Sequence, residues 1–252
     1  MDLSLFSLEG KTALVTGVSR GLGQAMAVAL AKAGADIVGV GLRGMGPTRA
    51  MIEAEGRRAY EIQADLGQSD TAAAIAQEAV AAFGRVDILV NNAGIIKLSA
   101  AEDHTMEDFD AVMEVNLRSL FLLTRDIARQ MIALGHGKII NTCSVQSIKG
   151  GSGDAAYVAS KHAVHGLTRA WANEWGKYNI QVNGIAPGYM VTDNTATLRQ
   201  NQEAVAAITA QIPLGRWGEP QDLMGPVVFL ASAASDFVNG HLLVADGGYL
   251  NA

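Results

Sequence analysis

The chain has 252 residues, 49% of them hydrophobic and 17% charged, a composition typical of one globular domain spanning residues 1–252. A formal net charge of −6 gives no sign of a nucleic-acid surface, and no apolar run approaches the roughly 18 residues of a membrane span. The single cysteine excludes an internal disulfide, and the acidic first residues do not resemble a secretory signal. We therefore expect a cytoplasmic protein without nucleic-acid or membrane partners.

Short apolar segments alternate with longer segments of helical periodicity. We predict strands at 12–17, 35–41, 58–66, 86–94, 137–144, 180–188 and 241–248, and helices at 22–34, 47–55, 69–84, 107–133, 155–176, 202–210 and 219–232. Near-continuous apolar strands are typical of a parallel sheet covered on both faces. The alternation predicts a single Rossmann-type doubly wound parallel sheet of about seven strands, with helices on both faces.

The segment YMVTDNTATLRQNQ (189–202) interrupts this alternation, because it is polar and directly follows a predicted strand. Two interpretations stay open. It is either a mobile lid over a binding site or an ordinary surface connection.

A glycine-rich stretch, TGVSRGLG (16–23), joins the first predicted strand to the first predicted helix. Glycines in this position allow a tight turn and the close approach of a pyrophosphate, which then binds at the helix N-terminus. We predict a dinucleotide site here, with a merely tight turn as the alternative. The residues that we assign to it are Gly17, Ser19, Arg20, Gly21, Leu22 and Gly23.

Polar residues also follow the third and fourth predicted strands, at the carboxyl edge where open α/β sheets bind ligands. Asp65 is a candidate acceptor for an adenine amino group, and a helix cap or turn is an equal alternative. In NNAG (91–94), Asn91 is predicted to tie neighbouring strands together, while the small residues let a ribose pack closely. The cofactor residues assigned at these strand ends are Asp65, Leu66, Asn92, Ala93 and Gly94.

The end of the second predicted strand lacks the acidic residue that NAD-binding sheets usually carry for the ribose hydroxyls. Arg43 stands there instead and is a candidate for a 2′-phosphate, assisted by Arg20. A solvated loop arginine is an equal interpretation of Arg43. These residues slightly favour NADP(H), and NAD(H) stays open.

The stretch SGDAAYVASKHA (152–163) places Tyr157 and Lys161 four residues apart, on one face of a helix that we expect Asp154 or Ser152 to cap. A phenol has an ordinary pKa of about 10, which a nearby ammonium is expected to lower. Such a tyrosine can give a proton to a carbonyl oxygen, or take one in the reverse reaction. The lysine can also hold a nicotinamide ribose, although the spacing alone is common in surface helices.

Two further polar residues favour the catalytic interpretation. Ser144 ends the fifth predicted strand, and its hydroxyl can bond a substrate oxygen and steady developing charge. Asn116 lies inside an apolar helical stretch, and it is a candidate for holding a water that links Lys161 to solvent.

The motifs T-G-x-x-x-G-x-G, N-N-A-G, Y-x-x-x-K and P-G-x-x-x-T (187–192), in this order and with Asn116 and Ser144 between them, resemble the short-chain dehydrogenase/reductase family over essentially the whole chain. The resemblance implies a nicotinamide cofactor and reversible alcohol–ketone oxidoreduction. By matching position it implies a catalytic tetrad of Asn116, Ser144, Tyr157 and Lys161, with Pro187, Gly188, Met190 and Thr192 around the nicotinamide.

Flanking segments such as IAPGYM and GRWGEPQDLMGPVVFLAS resemble the branch that contains 2-deoxy-D-gluconate 3-dehydrogenase, also called 2-keto-3-deoxygluconate or 5-keto-4-deoxyuronate pathway dehydrogenase. The branch implies oxidoreduction of a keto-deoxy sugar acid. The more basic stretches VSRG and GLRG depart from it, and the glycine loop also resembles that of NADP-using 3-oxoacyl-[acyl-carrier-protein] reductases. Such a reductase, or a reductase of another small ketone, is therefore the alternative. A catalytically inactive cofactor-sensing protein is a remote one, since the whole tetrad is present.

A sugar acid needs a cation for its carboxylate, and Lys97 and Lys149 are our candidates, each with a surface role as the alternative. Candidates for contact with sugar hydroxyls or a ring face are Gln146, Asn194 and Trp217. We expect no metal site, because His162 and His165 have no third ligand nearby in the sequence. In the resembled family the helices predicted at 107–133 and 155–176 form subunit interfaces, which implies a homotetramer.

Overall fold

The computed structural model describes residues 3–251. Its strands are β1 (Thr12–Thr16), β2 (Asp36–Gly41), β3 (Ala59–Gln63), β4 (Ile88–Asn91), β5 (Gly137–Thr142), β6 (Ile180–Pro187) and β7 (Leu242–Ala245). Its α-helices are α1 (Gly21–Lys32), α2 (Thr48–Ala54), α3 (Ala72–Phe83), α4 (Met106–Met113), α5 (Ser119–Leu134), α6 (Ala155–Trp175), α7 (Ala196–Arg199), α8 (Gln202–Thr209) and α9 (Met224–Ala231).

The seven strands form one parallel sheet in the order β3-β2-β1-β4-β5-β6-β7. The chain therefore starts in the middle of the sheet, builds outward to β3, and returns to place β4 on the other side of β1. This reversal opens a crevice at the carboxyl ends of β1 and β4, where doubly wound sheets bind their ligands. The predicted Rossmann-type fold is confirmed.

Both faces of the sheet are covered by helices, which explains why the middle residues of β1, β4 and β5 are apolar. In β1 the side chain of Leu14 packs into the cluster formed with α3, α5 and α6, while Ala13 and Val15 pack into the cluster formed with α1 and α9. Successive side chains of a strand point to opposite faces, so in a strand covered on both sides all side chains are buried and apolar residues need not alternate with polar ones.

Three predicted elements differ from the structure. The helix predicted at 107–133 consists of α4 and α5, which are joined by a π-helical turn at Glu114–Arg118. The helix predicted at 219–232 begins with a 3-10 turn at Pro220–Leu223, with the proline in the first turn, where a missing N–H donor is tolerated. The short helix α7 was absent from the prediction, since its four residues carry no helical period.

The remaining predicted strands and helices are present, with ends that shift by a few residues. Within residues 3–251, no helix combines the length and the apolar character needed to cross a bilayer.

Candidate active site

A cleft of about 620 Å³ opens at the carboxyl edge of the sheet, within the range of about 300–1,000 Å³ that small-molecule and cofactor sites occupy. Most of the residues predicted to bind a dinucleotide line it. The predicted site residues that the cleft brings together are Gly17, Ser19, Arg20, Gly21, Leu22, Gly23, Asp65, Leu66, Asn92, Ala93, Gly94, Tyr157, Lys161, Thr192 and Asn194.

One end of the cleft is made of backbone from the loop between β1 and α1. Gly17 has a positive φ of 67°, and a Cβ atom on Gly23 would collide with the Gly17 carbonyl oxygen. Helix α1 begins after Arg20, whose side chain forms no capping hydrogen bond. The first N–H groups of α1 are therefore left for an anionic group, and the absence of side chains lets that group come close.

The NNAG turn is hydrogen-bonded to Thr16 at the end of β1. The Thr16 hydroxyl oxygen accepts from the backbone N–H of Asn92 at 2.9 Å and of Ala93 at 3.0 Å. The Asn92 amide donates back to the Thr16 carbonyl at 2.9 Å. These bonds fix the wall of the cleft next to the glycine loop.

Asn91 ties β4 to β5, because its side-chain amide donates to Asn141 Oδ1 at 2.9 Å. This prediction is confirmed. The same amide donates to the Thr124 hydroxyl at 2.8 Å, so the tie also includes α5.

The other end of the cleft is made of side chains. The Lys161 ammonium donates to the Thr142 carbonyl at 2.7 Å and lies 5.5 Å from the centre of the Tyr157 ring. The Ser144 hydroxyl hydrogen-bonds to the Tyr157 side chain. Tyr157 and Lys161 thus line this end of the cleft, and Ser144 lies next to Tyr157 just outside the lining.

Burial dominates the electrostatics at this end. It raises the pKa of Tyr157 to about 12, although the bond from Ser144 works in the opposite direction. It also lowers the pKa of Lys161 to about 8. The predicted lowering of the Tyr157 pKa by Lys161 is wrong for this structure, because the ammonium points to the Thr142 carbonyl and the phenol loses more from desolvation.

Asn116, the fourth predicted catalytic residue, lies in the π turn between α4 and α5. Its Oδ1 accepts from the Ile95 N–H at 2.8 Å, and its Nδ2 donates to the Ile95 carbonyl at 3.0 Å and to Ser160 Oγ at 3.1 Å. Asn116 therefore fixes the chain just beyond the NNAG turn. A π turn inside an α-helix often marks a functional site. The predicted water link from Asn116 to Lys161 stays a prediction.

Sequence reasoning missed Ser147, which connects Ser144 to Lys161. We call the end of the cleft formed by Tyr157 and Lys161, with Ser144 beside them, the reaction end. Its hydroxyl donates to the Lys161 carbonyl at 2.8 Å and accepts from the Ser144 N–H at 3.2 Å. Ser144 and Ser147 form a capping box around a 3-10 turn. Two hydroxyl residues three apart after a strand are the signal that could have located it.

Several predicted cofactor residues lie outside the cleft lining. Arg43 is exposed on the loop after β2, and it is not among the residues that line the cleft. Pro187 is the last residue of β6 and Gly188 follows it; neither lines the cleft, and a Cβ on Gly188 would press on Asp246. Met190 is buried and pairs with Gly218 in a short β-bridge.

The candidate substrate residues fall into separate environments. Lys97 forms an ion pair with Asp108 at 3.0 Å. Lys149 lies over the Tyr249 ring at 4.5 Å, and Trp217 is buried with its ring centre 5.3 Å from that of Tyr189. The Trp217 indole N–H is already bonded to Thr209, so the predicted contact of Trp217 with substrate lacks an exposed ring face.

Gln146 donates from its amide to Asp154 Oδ2 at 2.6 Å. Asp154 occupies the N-cap position of α6, but its side chain makes no capping bond. The predicted capping by the Asp154 side chain is therefore wrong, because the carboxylate is turned toward Gln146 instead.

The segment 189–202 contributes one wall of the cleft through Val191–Asn194. Asp193 of this wall forms an ion pair with Arg20 of the glycine loop at 2.8 Å. Both side chains are mostly exposed, so the pair contributes little to stability. Whether the segment moves as a lid stays a prediction.

A family model described as enoyl-(acyl carrier protein) reductase matches residues 17–250. The chain belongs to the short-chain dehydrogenase/reductase family. The family resemblance read from the motifs is confirmed, and with it the class of enzyme: an NAD(P)-dependent oxidoreductase that acts on CH–OH groups.

Relatives match this short-chain dehydrogenase/reductase along its length. It is 52% identical over 251 residues to 2-dehydro-3-deoxy-D-gluconate 5-dehydrogenase of Dickeya dadantii (strain 3937), covering 99% of both chains. It is 50% identical over 249 residues to the protein of that name from Bacillus subtilis (strain 168), covering 98% of this chain and 97% of the relative. The crystal structure of a gluconate 5-dehydrogenase from Burkholderia cenocepacia J2315, in complex with NADP and tartrate, superposes with a TM-score of 0.95 at 42% identity and covers 99% of each chain.

Proposed function

We propose that the protein interconverts a secondary alcohol and a ketone on a keto-deoxy sugar acid, with NAD(P)(H) as cofactor and Tyr157 as the group that gives or takes the proton. The observation that carries the proposal is the position of Tyr157, beside Ser144 and Lys161 at the inner end of a dinucleotide-sized cleft. The substrate class rests on the relatives named for deoxy sugar acids.

The residues of the cleft fit a dinucleotide. The uncapped start of α1 suits the pyrophosphate, and the missing side chain of Gly23 lets the loop pack closely against its own backbone and the Asn92 amide. We assign the adenine to the wall formed by Asp65 and Leu66, and the nicotinamide ribose to Lys161 and the NNAG turn. When bound, the nicotinamide supplies or accepts the hydride.

Tyr157 is a neutral phenol at physiological pH, because its pKa is raised to about 12. In the direction of reduction it therefore holds the proton that the substrate oxygen needs. The Ser144 hydroxyl, already bonded to the phenol, can turn to the same substrate oxygen and steady its charge. In the direction of oxidation the phenol must first lose its proton. The Lys161 ammonium, 5.5 Å from the ring centre, attracts the phenolate that forms, although burial outweighs this attraction and keeps the pKa of Tyr157 high.

In our proposal Asn116 does not contact the substrate but positions the residues that do. It holds both backbone polar groups of Ile95, which lines the cleft directly after the NNAG turn. Ser160, its other partner, is one residue before Lys161. Asn116 thereby keeps the ribose wall and the lysine at a constant separation.

The names of the relatives favour carbon 5 of the sugar acid over carbon 3 as the reacting position. For the cofactor, Arg20 in the glycine loop supports NADP(H), since its guanidinium lines the cleft and a 2′-phosphate would be a stronger partner than the exposed Asp193.

We also propose that this single domain works as a cytoplasmic homotetramer. Phe121 of α5 is 39% exposed, and its ring centre lies 5.7 Å from that of Trp171 on α6. An exposed aromatic next to a stacked pair of tryptophans, Trp171 and Trp175, suits a subunit interface. Light scattering on the purified protein measures the mass that tests this.

The proposed activity is tested by incubating the protein with NADH or NADPH and a panel of keto sugar acids, and following cofactor oxidation. The panel includes keto-deoxy sugar acids with the ketone at carbon 3 or carbon 5, and an acetoacetyl thioester. Turnover of the sugar acids with the ketone at carbon 5 and preference for NADPH are the expected results. Turnover of the thioester alone would assign a 3-oxoacyl reductase instead, and tight dinucleotide binding without any turnover would assign a sensing protein.

A further inference from the structure

A buried carboxylate, Asp154, lies close to Tyr157, and within residues 3–251 no cation forms an ion pair with it. Asp154 is 4% exposed, three residues before Tyr157 at the start of α6. Its Oδ2 accepts from the Gln146 amide, and its Oδ1 is buried with no hydrogen-bond partner among the described residues. A buried charge without a counter-ion is costly, so it calls for an explanation beyond folding.

The carboxylate has an ordinary structural role available and does not take it. An aspartate at an N-cap position usually accepts from the N–H groups of the first helical turn. Asp154 has φ −142° and ψ 37° and makes no such bond. Its side chain faces Gln146, which it holds at 2.6 Å.

Gln146 is in turn attached to the reacting groups. Its backbone N–H donates to Ser144 Oγ at 3.1 Å, and the Ser144 hydroxyl bonds to Tyr157. Burial raises the pKa of Tyr157, and the nearby Asp154 carboxylate adds to that rise. The same carboxylate adds to the rise in the pKa of Tyr189 that burial causes.

The bond from one Nε2 hydrogen to Asp154 fixes the orientation of the Gln146 carboxamide. Its Oε1, which can only accept, lies on the other side of the carboxamide from that bond and offers an acceptor to an incoming group. The negative charge behind it strengthens this preference, since it attracts a hydroxyl donor and repels a carboxylate.

We propose that Gln146, oriented by Asp154, recognises a hydroxyl group next to the reacting carbon of the substrate, and that the pair excludes a carboxylate from that position. Gln146 is the residue that contacts substrate, and Asp154 is a positioning residue. Resting on the proposed function, the inference explains how a sugar acid is aligned: its carboxylate must point away from Asp154, so oxidation falls on a carbon remote from carbon 1.

The test compares three small ketones that differ in one group: hydroxyacetone, butan-2-one, in which a methyl replaces the hydroxyl, and acetoacetate, which carries a carboxylate. Each is reduced by the wild type and by Asp154→Asn, with kcat/KM measured for all three. An asparagine can face Gln146 with either its oxygen or its nitrogen, so the variant loses both the charge and the fixed orientation of the carboxamide.

In Asp154→Asn the ratio of kcat/KM for hydroxyacetone to that for butan-2-one is expected to fall about tenfold, as for loss of one charge-assisted hydrogen bond. The ratio for acetoacetate to butan-2-one is expected to rise. A merely structural role for Asp154 would change all three substrates by the same factor, and that result would overturn the inference.

A second pair of variants reaches the same question without altering Asp154. A Cβ on Gly151 would overlap both Asp154 Oδ1 and Gln146 Nε2, whereas a Cβ on Gly150 meets nothing within 4 Å. Gly151→Ala should therefore lower the hydroxyacetone ratio in the same direction, and Gly150→Ala should keep the wild-type ratio. Equal ratios in the two variants would contradict the inference even if Asp154→Asn failed to fold.

The outcomes separate this inference from the proposed function. Suppose that the wild type reduces no keto sugar acid, and that the preference for hydroxyacetone seen in the wild type is lost in Asp154→Asn. The proposed function then falls and the inference stands. If keto sugar acids are reduced and the ratios are the same in all variants, the inference falls and the proposed function stands.

Discussion

At the glycine-loop end of the cleft the walls are backbone, and the loop keeps its shape because Gly17 and Gly23 carry no side chains that would collide with the NNAG turn or with the loop itself. At the reaction end the walls are side chains, and the half-buried Tyr157 lies beside the buried Ser144 and Lys161. Adding a Cβ atom at a glycine should disrupt the first end, whereas removing the Tyr157 hydroxyl should disrupt the second. The two ends should therefore fail separately, binding at one and chemistry at the other.

The two ends also differ in what they cost the folded protein. The glycine loop leaves helix N–H groups open at the rim, where water can satisfy them. At the reaction end ionisable groups are removed from water. This desolvation raises the pKa of Tyr157 to about 12 and lowers that of Lys161 to about 8. Groups with pKa values shifted so far are typical of sites where the fold serves chemistry.

The largest effect is expected from Tyr157→Phe. Removal of the phenol should lower kcat by about a thousandfold, within the range that general acid–base catalysis contributes. Cofactor oxidation in the presence of a keto sugar acid measures the loss, and the unfolding temperature of the variant checks that the fold is intact. A variant that kept more than a tenth of the wild-type kcat would remove Tyr157 from the reaction.

Gly23→Ala attacks the other end. The added Cβ would collide with the Gly17 carbonyl oxygen and lie 2.5 Å from the Asn92 amide. Overpacking of this size costs about 1–3 kcal/mol, so dinucleotide affinity should fall about tenfold to a hundredfold. Fluorescence titration with the reduced cofactor measures it, and unchanged affinity would show that the pyrophosphate does not lie on this loop.

Asn116→Ala tests the connection between the two ends. It leaves the buried N–H and carbonyl of Ile95 without partners, which should lower the free energy of unfolding by about 1–3 kcal/mol. Urea unfolding measures the loss. Asn116→Asp is the graded control, because a carboxylate still accepts from the Ile95 N–H but cannot donate to its carbonyl.

The pH dependence separates the two directions of reaction. Oxidation needs Tyr157 as phenolate, and the pKa of Tyr157 is raised to about 12. Below that pH, each rise of one pH unit increases the phenolate fraction about tenfold. Oxidation should therefore accelerate with pH and then level off above about 8, where Lys161 loses its charge. Reduction needs the phenol and should be flat through neutral pH. Profiles of kcat/KM in both directions measure this, and oxidation that fell with rising pH would contradict it.

The smallest effect is expected from Gly166→Ala, which serves as the matched control for Gly23→Ala. Gly166 lies within α6, and a Cβ there meets nothing within 4 Å. The substitution should stabilise the protein by about 0.5–1 kcal/mol, because alanine favours a helix interior. Thermal unfolding measures the shift. A loss of stability would show that another subunit covers this face of α6.

Much of the fold could be predicted because its signals are local. Apolar strands buried on both faces and helices ending at glycines can be read segment by segment, as at Gly34 and Gly84. The π turn at Glu114–Arg118 could not, since the helical period of the sequence runs through it without a break.

The candidate site divides in the same way. The glycine loop and the Tyr157–Lys161 pair are local motifs, and the structure places both in one cleft. The bond between Gln146 and Asp154 spans eight residues of the single connection between β5 and α6, and no periodic pattern in the sequence marks it. The position of Asp154 predicts a helix cap, and its bond to the Gln146 amide explains why the side chain forms none.

The most direct test of the division between the two ends is equilibrium titration of Tyr157→Phe and Gly23→Ala with the same reduced dinucleotide, side by side. The account predicts that Tyr157→Phe binds within about threefold of the wild type, a difference below 1 kcal/mol, while Gly23→Ala binds at least about tenfold more weakly. Loss of binding in Tyr157→Phe, with affinity retained in Gly23→Ala, would contradict it.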